Sequence, residues 1–269
     1  MKKIATALVS AAAIMTISTT AFAAENPAEV FDRVMEKNNT IQSAEIQSGV
    51  HSVILAKDVI PDGQMKVDMA MHAEMDMQDT TDLKYLAQVA SSILGQDSYS
   101  QVFYTDGYYY VDANGVKLKY PMPLEQIISS VQTGVNTSNM ESSYMKGISL
   151  NEVNGKRVLA YEANPKKLNK NVKEALGTVM NTLGTDVNLD MNIQEMKGAY
   201  VLDDNDYIIY MTNYIVYNME VLDQPMTCIT LMETEVQNPG EPVVVTLPST
   251  DGYEDLIGLY DGVIESEVE

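Results

Sequence analysis

Seven apolar residues occupy every second position from Met65 to Met77: Met65, Val67, Met69, Met71, Ala73, Met75 and Met77. Between them stand Lys66, Asp68, Ala70, His72, Glu74 and Asp76, polar with one exception. Alternation with period two predicts one half-buried strand. Thirteen residues at roughly 3.3 Å each span about 43 Å, against a usual strand of about five or six residues, so the sheet that holds it is large or strongly curved. Methionine is unbranched and polarizable, which suits both ordinary core filling and a surface that receives a variable apolar ligand.

The chain opens with Lys2 and Lys3, an apolar stretch from Ile4 to Ile17, and Ala21-Phe22-Ala23. This is the pattern of a secretory signal peptide cut after Ala23, so residues 1–23 are read as removed and the mature protein as secreted. About 246 residues remain, enough for one large β-rich domain or two small ones. No second apolar run reaches membrane-spanning length. The single cysteine, Cys228, is far from the cleavage site, so neither a lipid-anchoring thiol after the signal nor an internal disulfide is expected.

The formal charge is −21. After Lys197 there is no Lys or Arg, while fifteen Asp and Glu follow. Such a chain repels phosphate backbones, which sets aside nucleic acid as a partner.

Helices and strands are expected in blocks. Asn26, Pro27 and Glu29 give a helix cap, a first-turn proline and a capping-box acid, with Val30, Phe31, Val34 and Met35 as the apolar stripe of a first helix. A strand from Glu45 to Leu55 precedes the methionine strand. Leu83, Leu86, Ala87, Ala90, Ile93 and Leu94 predict a second helix from Thr80 to Leu94, stopped by Gly95. Pro123 opens an expected third helix. Strands at Ser142–Leu150 and Lys156–Ala163 follow, and Asn164-Pro165 caps a fourth helix to Gly184. Its Lys166, Lys167, Lys170 and Lys173 form a basic face, read as solvated, with docking of an anionic lipid head or an acidic partner as the alternative.

Two glycine turns, Asp106-Gly107 and Asn114-Gly115, define a meander. Two-residue turns set Tyr104 opposite Tyr109, Val102 opposite Val111, Val111 opposite Leu118 and Tyr109 opposite Tyr120 on one face, with Asp112 opposite Lys117 on the other. Near the C-terminus, a strand from Tyr207 to Val221 carries Met211, Ile215, Tyr217 and Met219 on one side. A turn at Asp223-Gln224 would place Cys228 opposite Met219 and Met232 opposite Ile215. The preceding strand changes phase after Ile193, which calls for a β-bulge at Gln194–Glu195. The face so built holds Met191, Met211, Met219, Met226 and Met232.

The N-terminal signal, one leading helix, long antiparallel strands and the tyrosine-rich run from Val102 to Met122 resemble secreted Gram-positive domains of unknown function. Those are similar to the LolA-like and LppX-like lipoprotein-carrier half-barrels. The resemblance covers roughly Ala24 to Leu247. It implies a curved antiparallel sheet wrapped over helices, with an apolar cavity for acyl chains.

Signals for catalysis are sparse. A two-residue turn at Pro61-Asp62 would set His51 opposite His72, with Glu74 one step along. A three-residue turn with a bulge would part them, and both are read as solvated surface histidines. Asp203-Asp204-Asn205-Asp206 lacks the glycine and distal glutamate of a calcium loop and reads as a hairpin turn. No P-loop, dinucleotide fingerprint, nucleophile elbow or zinc-protease helix appears.

The sequence therefore predicts an α+β fold, a large curved antiparallel half-barrel sheet packed over several helices. A half-barrel domain spans residues 24–248 and an acidic tail spans 249–269. Its expected role is non-catalytic binding of a lipid or other apolar molecule, without cofactor or metal. The expected lining is Met69, Met71, Met75, Met77, Val102, Tyr104, Tyr109, Val111, Met191, Met211, Ile215, Met219 and Met232. The alternative is a protein-binding sensor or accessory domain with a closed core.

Overall fold

The computed structural model describes residues 25–56, 60–79, 83–123, 140–170, 191–221 and 224–256. The strands run in chain order as β1 (Ser43–Leu55), β2 (Gln64–Asp76), β3 (Lys84–Ile93), β4 (Gln96–Thr105), β5 (Tyr108–Ala113), β6 (Val116–Pro121), β7 (Met145–Val153), β8 (Lys156–Ala163), β9 (Met191–Leu202), β10 (Ile208–Val221), β11 (Gln224–Gln237) and β12 (Glu254–Asp255). They hydrogen bond in the order β12-β6-β5-β4-β3-β2-β1-β11-β10-β9-β8-β7. The hairpin-linked strands pair antiparallel, whereas β12 lies parallel to β6.

Among the described residues helices are fewer than expected; they include α1 (Pro27–Asn38), a helical turn at 165–170, and single 3-10 turns at Pro61–Gly63 and Ser142–Tyr144. The described residues form a large, mostly antiparallel sheet with few helices, which corrects the balance of the α+β expectation. The third helix and most of the fourth fall on residues 124–139 and 171–190, outside the described residues.

The segment expected as a second helix is strand β3. Leu94 and Gly95 take left-handed φ of 53° and 76°, and Ile93 pairs with Gln96, so Gly95 closes a two-residue hairpin and not a helix. Pairing along nine of the ten residues of β3, from Ile93 down to Tyr85 with Tyr104, overrides the helical spacing of its leucines and alanines.

The chain divides into two compact units. One takes α1, β1 from Gly49, β2 up to Asp68, and β7 through β11 up to Glu235. The other takes β1 up to Ser48, β2 from Met69, β3 through β6, and the chain from Val236.

In the first unit, α1 starts as its sequence predicts: Asn26 Oδ1 accepts from Ala28 N at 3.1 Å, and Asn26 Nδ2 donates to Glu29 Oε1 at 3.1 Å. A helix of twelve residues is marginal alone. Its stripe of Val30, Phe31, Val34 and Met35 is buried against Leu150, Leu159, Tyr161, Tyr200, Leu202 and Ile208. Each such burial contributes roughly 1.5–3 kcal/mol. The end of α1 is tied to the β9–β10 turn. Asp206 accepts from Arg33 Nε at 2.8 Å and from Arg157 Nη2, and Asn38 Nδ2 donates to Asp206 O at 3.1 Å.

In the second unit, the meander has the expected register throughout, from Tyr104 with Tyr109 to Asp112 with Lys117. One side of it packs in a cluster of Ala44, Met75, Met77, Leu83, Tyr104 and Val236. The other side is covered too. Phe103 stacks on Tyr110 with centroids 4.6 Å apart, and Tyr253 meets both rings edge-on at 5.6 and 5.1 Å, beside Val245 and Leu86.

Candidate functional site

Strands β9, β10 and β11 of the first unit present one uncharged face. Met191, Ile193 and Met196 come from β9, Met211, Asn213, Ile215, Tyr217 and Met219 from β10, and Met226, Cys228, Thr230, Met232 and Thr234 from β11. The bulge is where the sequence places it: Val216 pairs with Glu195 and Tyr217 with Ile193, so Gln194 is the extra residue. It keeps Ile193 and Met191 on the same face as Met196 and Tyr200.

The β10–β11 register differs from expectation by two residues. Cys228 pairs with Tyr217 and not Met219, Met226 with Met219 and not Val221, and Met232 with Asn213 and not Ile215. The hairpin closes earlier, with Val221 opposite Gln224. A slip of two preserves every side chain's face, whereas a slip of one would invert them all. Cys228 therefore still lies beside Met219, its Sγ donating to the Met219 sulfur at 3.7 Å.

Cys228 is 1% exposed, and burial pushes its thiol pKa up. Met191, Met211, Ile215, Tyr217, Met219, Met226 and Met232 are only half-buried. Part of the face is covered by neighbouring residues. Met211 packs against the α1 cluster, and Ile215 and Tyr217 pack with Ala163, Leu168 and Ile193 beside the helical turn at 165–170. Tyr217 and Met226 were missing from the expected lining, although the alternation along β10 and β11 includes them.

The other expected lining residues belong to the second unit. Met75, Met77 and Tyr104 are core, Tyr109 packs partly against them, and Val102, Val111 and Met71 are half-buried. Met69, expected on the buried side, is 40% exposed and lies outside that cluster. The cover over Met75 and Met77 includes Leu83, Tyr104 and Val236, none of them helical.

The two histidines are parted. His51 Nδ1 contacts Asp68 Oδ1 at 2.7 Å in the first unit, and His72 Nε2 contacts Glu45 Oε1 at 3.1 Å in the second. Among the described residues, no three His, Cys, Asp or Glu side chains gather to hold a metal. The 203–206 segment is a turn: Asp203 Oδ1 accepts from Asn205 N and Tyr207 N, each at 2.8 Å. Lys166, Lys167 and Lys170 are exposed around buried Leu168, and Lys167 Nζ donates to Ser143 O at 2.8 Å. Lys173 lies outside the described residues. No helix of the described residues is long and apolar enough to cross a membrane.

These features define a β-rich chain with an uncharged methionine face in its first unit. The chain belongs to DUF6612, a family of unknown function, whose model matches residues 26–248. No curated protein matches it. Among solved structures it is similar to LprF from Mycobacterium bovis, at 10% identity and a TM-score of 0.35, covering 83% of this chain and 97% of that one. It is also similar to a beta-barrel-like DUF1849 protein from Brucella abortus, at 12% identity and a TM-score of 0.24, covering 74% and 100% of the two chains. The third is ywiB from Bacillus subtilis, at 10% identity and a TM-score of 0.21, covering 76% and 99%.

Proposed function

We propose that this protein is a secreted, non-catalytic binding protein that holds a lipid or other apolar molecule against the methionine face of β9–β11. The observation that carries the reading is the combination on that face of an uncharged surface with half-buried methionines. A packed core leaves such side chains fully buried, whereas flexible thioethers that keep part of their surface free adapt to ligands of varied shape. The LolA-like and LppX-like resemblance supports the same class of ligand, an acyl chain. Residues 1–23 act in this reading as the export signal.

Titration with a fluorescent fatty acid tests it. Wild-type protein binds the probe, and Met219→Asp abolishes binding while circular dichroism stays native, because a charge on the face is costly to desolvate. A folded wild type that binds no apolar probe moves the reading to the closed-core, protein-binding alternative.

A further inference from the structure

We propose that Cys228, together with the thioethers of Met191, Met219 and Met226, forms a site for a soft monovalent cation of the copper(I) class. This goes beyond apolar binding, since it asks something different of the same side chains. Met191, Met219 and Met226 form one row across three strands: Met219 pairs with Met191 on one side and with Met226 on the other. Cys228 sits two residues along β11 on the same face, with its Sγ 3.7 Å from the Met219 sulfur. The thiol does not stand alone but joins a row of thioethers.

Donor chemistry selects the cation. Thiolate and thioether sulfurs are soft ligands that favour copper(I), whereas hard cations require carboxylate or carbonyl oxygens. Among the described residues this face carries no Asp, Glu or His. The Cys228–Met219 sulfur separation of 3.7 Å fits as well. Metal–sulfur bonds of about 2.3 Å at tetrahedral angles set neighbouring sulfurs about 3.7–3.8 Å apart. On binding, the Cys228 S–H proton passes to solvent, and the thiolate and thioether lone pairs bond the cation, which keeps its oxidation state. Cys228 is buried, but the three methionines are half-exposed, so the cation enters over the thioethers.

The test is an anaerobic titration of the full chain with copper(I) against a chromophoric copper(I) chelator, repeated with silver(I) as a redox-inert probe. One cation binds per chain. Cys228→Ser lowers affinity on the order of 100-fold or more, beyond the range typical for losing a supporting partner. Met219→Leu and Met226→Leu each lower it about tenfold or more, because leucine keeps volume and apolarity but removes the sulfur. Met232→Leu, six residues further along β11, leaves it unchanged. Copper(I) affinity is read without fatty acid and fatty-acid uptake on the metal-free chain, so either reading can fail without the other. Wild-type affinity in Cys228→Ser, or in both Met219→Leu and Met226→Leu, overturns the proposal. So does a native chain that binds no tighter than the urea-unfolded chain.

Discussion

Tyr161 Oη donates a hydrogen bond to Asn213 Oδ1 from two strands away, passing over Gly198, the residue that pairs with both. The tyrosine fills the space that a side chain at 198 would need. A Cβ there would lie 2.5 Å from Asn213 Oδ1, 2.5 Å from the Thr212 carbonyl oxygen and 2.8 Å from Tyr161 Oη. The same ring packs edge-on to Phe31 of α1 at 5.7 Å, so this polar bond is buried inside the helix–sheet core.

Gly198→Ala therefore destabilises the first unit by about 1–3 kcal/mol, because the Thr212 oxygen is backbone and cannot swing away. Tyr161→Phe costs about 1–3 kcal/mol by leaving buried Asn213 without its donor. Urea midpoints measure both, and a Gly198→Ala midpoint equal to wild type contradicts the close approach.

The clamp between α1 and the β9–β10 turn sets an acid limit. Burial works to raise the Asp206 pKa, but hydrogen bonds from Arg33 and Arg157 more than offset it and hold the carboxyl below its ordinary value of 3.8. A carboxylate depressed in the folded state stabilises above its unfolded pKa and ceases to do so as pH falls through its folded pKa. Asp206→Asn is accordingly less stable than wild type at pH 7, and the gap closes as pH drops below about 4. A gap that stays constant down to pH 2 rules out this linkage.

The β3–β4 turn carries a correctable flaw. Leu94 adopts a φ of 53° while 67% exposed, in a conformation that asparagine or glycine accepts more readily. Leu94→Asn raises stability by about 0.5–1 kcal/mol, read as a higher melting temperature. A lower one would mean that Leu94 makes a packing contact outweighing its backbone cost.

Cys228 should label slowly. A thiol that is 1% exposed and whose pKa is raised by burial offers little accessible thiolate. Reaction with a thiol reagent is slow in the native protein and fast in urea. Equal rates in both conditions contradict the burial of Cys228.

Legibility in the sequence followed how locally each feature is determined. The meander was readable because Asp106-Gly107 and Asn114-Gly115 fix turn type and register within a few residues, and alternation agrees with them. The bulge at Gln194 was readable as a phase change within one strand. The β3 segment misled because its leucines and alanines satisfy a helical spacing as well as a paired strand, and only the partner β4 decides. The β10–β11 register slipped by two because alternation fixes a face but not a partner. Packing of Tyr253 on Phe103 and Tyr110 had no local signal, since it joins residues some 150 positions apart through a short parallel pairing of β12 with β6. In the candidate site, the methionine face was readable, but the separation of its expected lining into different clusters depended on tertiary packing.

Native mass spectrometry of the protein, purified without detergent, tests apolar binding most directly. The account predicts a population carrying one bound lipid-sized adduct, released by mild organic solvent and lost in Met219→Asp. A single unliganded mass, together with no uptake of an added fatty acid, would contradict it.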